Sequence, residues 1–145
     1  MFILDTDHFS LHVRGHAEIS RRVVALKSAE VAISVVTVEE VLTGWYSVLR
    51  QAKKVRVEIQ AYDGLFQSVQ AIKKLEVVPF APDAVHRFHE LRKQHRRLGR
   101  MDLAIAAIAL EFGATLVTRN RSDFEQIPGL QVEDWSEPHS EGQPS

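Results

Sequence analysis

Four acidic residues, Asp5, Glu40, Asp102 and Asp123, fall where the chain leaves a strand for the next element or where a helix begins. In an open parallel sheet such points gather at one edge, outside the carboxyl ends of the strands, so acids far apart in sequence converge in space. Converging carboxylates repel and raise one another's pKa values unless a divalent ion neutralises them. An all-oxygen set in a chain without cysteine suits Mg²⁺ or Mn²⁺, hard ions that keep waters and accept phosphate oxygens. The chemistry predicted by such a cluster is metal-assisted reaction at a phosphodiester.

That convergence depends on the elements. Short apolar runs at 2–4, 31–33, 77–78 and 115–117 alternate with segments of helical period at about 17–28, 38–49, 53–74, 83–94 and 101–112, and a last strand is expected near 130–132. The alternation predicts an α/β fold with a mostly parallel sheet. Gly113 is placed as the C-terminal cap of the fifth helix. Asp5 directly follows the first strand, Glu40 lies in the first turn of the helix after the second, and Asp123 starts a short helical turn after the fourth. Asp102 opens the helix that feeds the fourth strand. The helix before it ends at the opposite edge, but the loop 95–100 stretches ~20 Å, about the ~18 Å length of a twelve-residue helix, so the chain can return. The segment Met101-Asp102-Leu103-Ala104-Ile105-Ala106-Ala107-Ile108 is apolar on nearly every side, which marks a buried helix. A carboxylate beside it needs a cation or several hydrogen bonds.

Each acid also has a structural role open to it. Thr37-Val38-Glu39-Glu40 and Ser122-Asp123-Phe124-Glu125 have the form of capping boxes, and Asp102 would favour its helix dipole. It is their coincidence, together with Asp5 at the end of a buried strand, that favours a site. Asp7 is read as a helix cap and Glu39 as part of a solvated face. His86 and His89 have the i, i+3 spacing of a metal pair but no matching third ligand, and are read as solvated or packing residues. Trp45, Tyr46 and Phe66 are assigned to core packing, with a partner surface as the other option.

Composition sets the outer limits. A chain of 145 residues builds one core, expected over residues 1–135, with a polar, disordered tail over 136–145. No apolar run approaches the ~20 residues of a membrane span. The N-terminus lacks the pattern of a secretory signal and there is no cysteine, so the expected compartment is the cytoplasm. A net charge of −1 argues against a general nucleic-acid binder, leaving local patches and metal ions as the means of contact. Arg92, Lys93, Arg96, Arg97 and Arg100 precede Asp102, while Arg119 and Arg121 precede Asp123. They offer grips for RNA phosphates or a solvated face.

The same residues carry a family pattern. Phe2-Ile3-Leu4-Asp5-Thr6-Asp7 resembles the opening strand of VapC-like PIN domains. The run from Ile33 to Gly44 around Glu40 looks like their second motif, and Gly99-Arg100-Met101-Asp102 with Ile105-Ala106-Ala107 is similar to the third. Leu116-Val117-Thr118-Arg119-Asn120-Arg121-Ser122-Asp123-Phe124, then Gly129-Leu130 and Val132-Glu133-Asp134-Trp135, matches the fourth and the last strand. This resemblance implies a PIN-like three-layer fold with a central five-stranded sheet flanked by helices. It further implies a divalent-metal endoribonuclease, usually a homodimer, inhibited by a VapB-like antitoxin. Carried over residue by residue, Asp5, Glu40, Asp102 and Asp123 are the candidate catalytic metal ligands. Glu39 stands where the family often has an uncharged residue, which leaves two adjacent glutamates to choose between. Thr6, Thr118 and Asn120 are candidates for orienting the carboxylates. Two rivals remain. Asp5-Thr6-Asp7 also resembles the nucleophile motif of haloacid-dehalogenase-like phosphatases, although His8-Phe9 follows where Gly-Thr should. A non-catalytic PIN-like binding module is the other.

Overall fold

Strand β1 (Phe2–Leu4) becomes helix α1 (Thr6–Val13) across a single residue, Asp5. After α2 (Ala17–Ala25), strand β2 (Val31–Ser34) becomes α3 (Val35–Gln51) with no intervening residue. Side chains at such junctions have no loop in which to wander, so the sheet places them. A computed structural model describes residues 1–138. The chain continues through α4 (Val55–Lys73), β3 (Glu76–Val78), α5 (Pro82–Gln94), α6 (Arg100–Phe112), β4 (Thr115–Val117), α7 (Arg121–Phe124) and β5 (Gln131–Glu133).

The five strands form one sheet in the order β3-β2-β1-β4-β5, and every adjacent pair is parallel. Alternate strand residues feed two cores, as the period of two requires. Ile3, Ala32 and Leu116 pack with α5 and α6 on one face. Leu4, Ile33 and Val117 pack with Phe9 of α1, Ile19 of α2 and the inner side of α4 on the other. This is the expected three-layer arrangement, and burial of the three central strands β1, β2 and β4 on both faces explains their apolar runs, while the edge strands β3 and β5 are largely exposed. The buried span of α6 runs from Leu103 through Ala109. Gly113 ends the helix at φ 60°, its N–H on the Ala109 and Leu110 carbonyls, the left-handed cap that favours glycine. Among the described residues no helix is long and apolar enough to cross a membrane.

Several boundaries differ from expectation, each for a local reason. Helix α1 has no counterpart in the sequence pattern: Asp7, His8, Ser10 and His12 interrupt its apolar period, and tertiary burial of Phe9 rather than amphipathicity holds it. Helix α3 starts three residues before the expected Val38 because Ser34, not Thr37, is the cap: its Oγ accepts the Thr37 N–H at 3.1 Å. Helix α2 stops at Ala25, and a 3₁₀ turn occupies Ser28–Glu30. The expected disordered tail falls, from 139 onward, outside the described residues.

Helices α3 and α4 form a hairpin that supports Glu40 from below. Trp45 packs on Gly64, where a Cβ would stand 2.2 Å from the indole, and its Nε1–H donates to Ser68 Oγ at 3.0 Å. Trp45 therefore packs between the helices, whereas Tyr46 and Phe66 are exposed. In a helix Ala outranks Gly by up to ~1 kcal/mol. Gly64→Ala is nevertheless expected to destabilise the protein by about 1–3 kcal/mol, because the indole must leave its seat and its hydrogen bond. Urea denaturation checks it, and a stabilised variant would refute the lock.

Candidate metal centre

The four acids meet at the carboxyl edge of the sheet, where α1, α3 and α6 begin. Asp5 is 5% exposed and caps α1, its Oδ1 accepting the His8 N–H at 2.8 Å. The cap at this junction is thus Asp5 and not Asp7, since the helix opens at Thr6. Glu40 lies in the second turn of α3, not the first, and makes no capping box. Thr6 Oγ1 donates to its Oε1 at 2.6 Å and, with its proton so used, accepts from Thr37 Oγ1 at 3.1 Å, so one hydroxyl binds that carboxylate and a second holds the first. Glu39, one residue earlier, is exposed. Asp123 sits exposed in α7, whose start at Asn120 has no side-chain cap, so the capping-box reading of Ser122 fails there too.

Asp102, third residue of α6, shows what joins them. Burial first, then the fields of Asp5, Glu40 and Asp123, push its carboxyl above the ordinary 3.8. The expected return from the opposite edge is not needed: α5 runs antiparallel to α6, its Arg87 paired with Glu111, and ends beside this edge, where Lys93 and Gln94 share a hollow with Asp123. Residues 95–99 are therefore a short turn, closed by the Leu98 N–H on the His95 carbonyl at 3.3 Å. Among the described residues no three acid or histidine side chains close into a ready ligand shell; the acids are coupled through their fields. The donor set fits a hard divalent ion: oxygen only, with one member pushed upwards by burial and then by the charges of the other three.

Of the residues expected to orient carboxylates, Thr6 does so for Glu40. Thr118, fully buried, instead accepts the Asn120 N–H at 3.0 Å, and the structure shows no bond from either to an acid of the cluster. Arg96 and Arg97 line a hollow of about 460 Å³ that Asp123 also lines. Arg100 lies over the Phe88 ring at 5.9 Å. Arg119 grips Asp7 with two hydrogen bonds, 2.6 and 3.1 Å, and Arg121 is 3.6 Å from Glu125. His86 and His89 stand on α5, in no metal-binding cluster among the described residues.

Three residues of this region escape sequence reasoning as site components. His8 is fully buried beside Asp5. Thr37 has the sequence position of a cap. Asp134 lies after β5, and although burial opposes its ionisation, two hydrogen bonds from Ser136 with His8 and Arg119 nearby hold its carboxyl below the usual range. Only Thr37 leaves a sequence signal, its place three residues after a serine that ends a strand.

A fold of this topology with acids at this edge defines a known class, and the family comparison agrees: the PIN-domain model matches residues 2–130. The chain belongs to the PIN-domain family. That membership removes the haloacid-dehalogenase-like alternative. Among its relatives, the tRNA(fMet)-specific endonuclease VapC of Salmonella typhimurium is 28% identical over 92% of this chain and 97% of the relative. The DNA-bound VapBC structure from the same species is 27% identical with a TM-score of 0.72, covering 92% of this chain and 97% of that one. A toxin-antitoxin complex from Klebsiella pneumoniae is 25% identical, TM-score 0.67, over 90% and 95% of the two chains.

The electrostatics give a test of whether Asp102 is crowded or simply caps. A carboxyl whose folded pKa is raised costs stability when ionised: nothing below its unfolded value of about 3.8, and in full once pH passes the raised folded value. Metal-free Asp102→Asn is therefore expected to melt at the wild-type temperature or roughly 1–3 °C above it at pH 7, a small gain because the group is half exposed. The difference should vanish as pH falls towards 4. Melting curves in chelator across that range decide it. A variant less stable at pH 7 would show a helix-dipole role instead.

Proposed function

We propose that this PIN-domain protein is a divalent-metal-dependent endoribonuclease, the toxin of a toxin-antitoxin pair, with Asp5, Glu40, Asp102 and Asp123 holding Mg²⁺ or Mn²⁺. The carrying observation is the convergence of strand-end and helix-start acids at one sheet edge, where Asp102 is half-buried and within the fields of Asp5, Glu40 and Asp123. Bound ions of this kind lower the pKa of a water, hold the scissile phosphate and stabilise the leaving oxygen. The chain's own residues do the rest. Thr6, itself held by Thr37, orients Glu40 through Oε1, and Asp5 is fixed by the helix it caps. Arg96 and Arg97, in the hollow shared with Asp123, supply positive charge for RNA phosphates on either side of the cut. Arg100, steadied by the Phe88 ring, Arg119 and Arg121 extend that grip. With a net charge of −1, RNA contact relies on this local positive charge rather than on the protein's overall field. Glu40, not the exposed Glu39, is the ligand. The RNA-cleaving activity is supported by a relative named as a tRNA endonuclease that aligns over nearly its whole length.

The toxin assignment and a VapB-like antitoxin are supported by the toxin-antitoxin complexes among the similar structures. An apolar stripe on α4 supports a covered surface: Val55, Ile59, Tyr62, Phe66 and Val69 are all exposed and alternate spacings of four and three, the seam a packed helix needs. We assign it to a homodimer that acts in the cytoplasm.

RNA cleavage by the purified protein is expected to stop in excess EDTA and return with Mg²⁺ or Mn²⁺. Asp5→Asn, Glu40→Gln and Asp102→Asn should each lose at least ~100-fold in rate, since the ions account for several kcal/mol of transition-state stabilisation. Undiminished cleavage in EDTA would overturn the metal role, and a wild type inert with either ion would favour a binding module. The wild type should also be a dimer by light scattering at micromolar concentration, and the double variant Ile59→Glu, Phe66→Glu a folded monomer. A monomeric wild type refutes the assignment of the stripe.

A further inference from the structure

Helix α1 carries a histidine that the catalytic reading leaves unused. His8 is fully buried, one turn beyond Asp5, and its two ring nitrogens face different parts of the molecule. Nε2 stands 3.4 Å from Asp134 Oδ1 but accepts the backbone N–H of Trp135 at 3.2 Å, a bond that needs its lone pair, so in the neutral ring the proton is assigned to Nδ1. Nδ1 has no hydrogen-bond partner, yet stands 3.4 Å from Asp5 Oδ1. That oxygen already receives the His8 backbone N–H at 2.8 Å. A buried donor left unmade costs about 1–3 kcal/mol, and the one acceptor in front of it is the carboxylate that opens the site. Trp135, which anchors the other end of the ring, is itself 3% exposed and packs against Phe2 at 5.1 Å between ring centroids. The ring therefore spans from the segment after β5 to the residue after β1.

We propose that His8 is a positioning residue for Asp5: its Nδ1–H, together with its own backbone N–H, claims Oδ1 and so presents Oδ2 to a divalent ion, while Trp135 fixes the tautomer that makes this donation available. The inference rests on the proposed role of Asp5 as a metal ligand. Buried imidazoles that donate to a ligating group raise metal affinity by fixing its orientation.

Two substitutions separate the two ends of the ring. Asn places an amide N–H where Nδ1 stands and gives up the Trp135 contact; Gln reaches the Trp135 N–H with its oxygen and gives up the donor to Asp5. Calorimetric titration with Mn²⁺ alone is expected to show His8→Gln binding about 10–100-fold more weakly than the wild type, with His8→Asn much closer to it. Melting curves in chelator accompany the titration, because a purely structural role would lower stability in both variants without ordering their Mn²⁺ affinities in this way. In the wild type, ¹⁵N shifts of the His8 ring, assigned by their loss in the variants, should show the Nδ1–H tautomer, with Nδ1 moving on addition of Mg²⁺. An Nε2–H tautomer, or wild-type Mn²⁺ affinity in a folded His8→Gln, overturns the proposal. Asp102→Asn is the control: if it loses Mn²⁺ while His8→Gln keeps it, the metal site stands and the role of His8 falls. If Asp102→Asn binds Mn²⁺ as the wild type does, the metal site falls and takes this inference with it.

Discussion

Four like charges must be held at one edge of a sheet although each would lower its energy by moving away. Two unit charges 4 Å apart at an effective dielectric of 20 repel by about 4 kcal/mol, and at twice that distance still by about half as much. No flexible loop sustains such an arrangement; the supports have to be stiff. This explains why β1 and β2 enter their helices across one residue and none, why Asp5 is tied down as a cap, and why Asp102 rides on a helix buried from Leu103 through Ala109. The two apolar cores on either side of the sheet supply the stability that the charged edge draws down.

Much of this is legible in sequence because the central strands are buried on both faces and so stand out as apolar runs, and because parallel topology sends the carboxyl ends to one side. Asp5, Glu40, Asp102 and Asp123 come from that rule alone. The misreadings share a cause, the double use of short polar residues at junctions. Ser34 ends a strand and caps a helix at once, which hides the true start of α3 and makes Thr37 look like the cap. Asp5 caps and faces the site, so the cap is easily misplaced at Asp7, which instead holds Arg119. His8 carries no signal, since its meaning comes from Trp135, 127 positions away in the chain.

The arginines show the same division between what pattern reveals and what packing decides. As a run before Asp102 they are alike. In the fold Arg96 and Arg97 share a hollow with Asp123, Arg100 leans on an aromatic ring, and Arg119 is held by a bidentate carboxylate on another helix. Rigid, paired guanidinium groups lose less entropy on meeting a phosphate than free ones. Yet Arg119 and Arg121 are already paired with Asp7 and Glu125, so the charge left for the proposed contact with a polyanion lies chiefly with Arg96 and Arg97.

Helix dipoles enter the balance with the opposite sign to repulsion. The N-termini of α1, α3 and α6 all lie at the acidic edge, and a helix N-terminus favours a nearby anion by about 0.3–1 kcal/mol when exposed, reaching ~2 when partly buried. Asp5, as a cap with a direct hydrogen bond from α1, receives the larger share of that help. Asp102, in the first turn of α6, receives its dipole too, yet its carboxyl is still driven upwards by burial and by three neighbouring charges. The dipoles gather the acids but do not neutralise them. The remaining repulsion is what a divalent cation would relieve, so the proposed metal role follows from the topology: a parallel sheet that brings strand-end carboxylates to one edge, with helix N-termini too weak to balance them, favours a hard ion as partner.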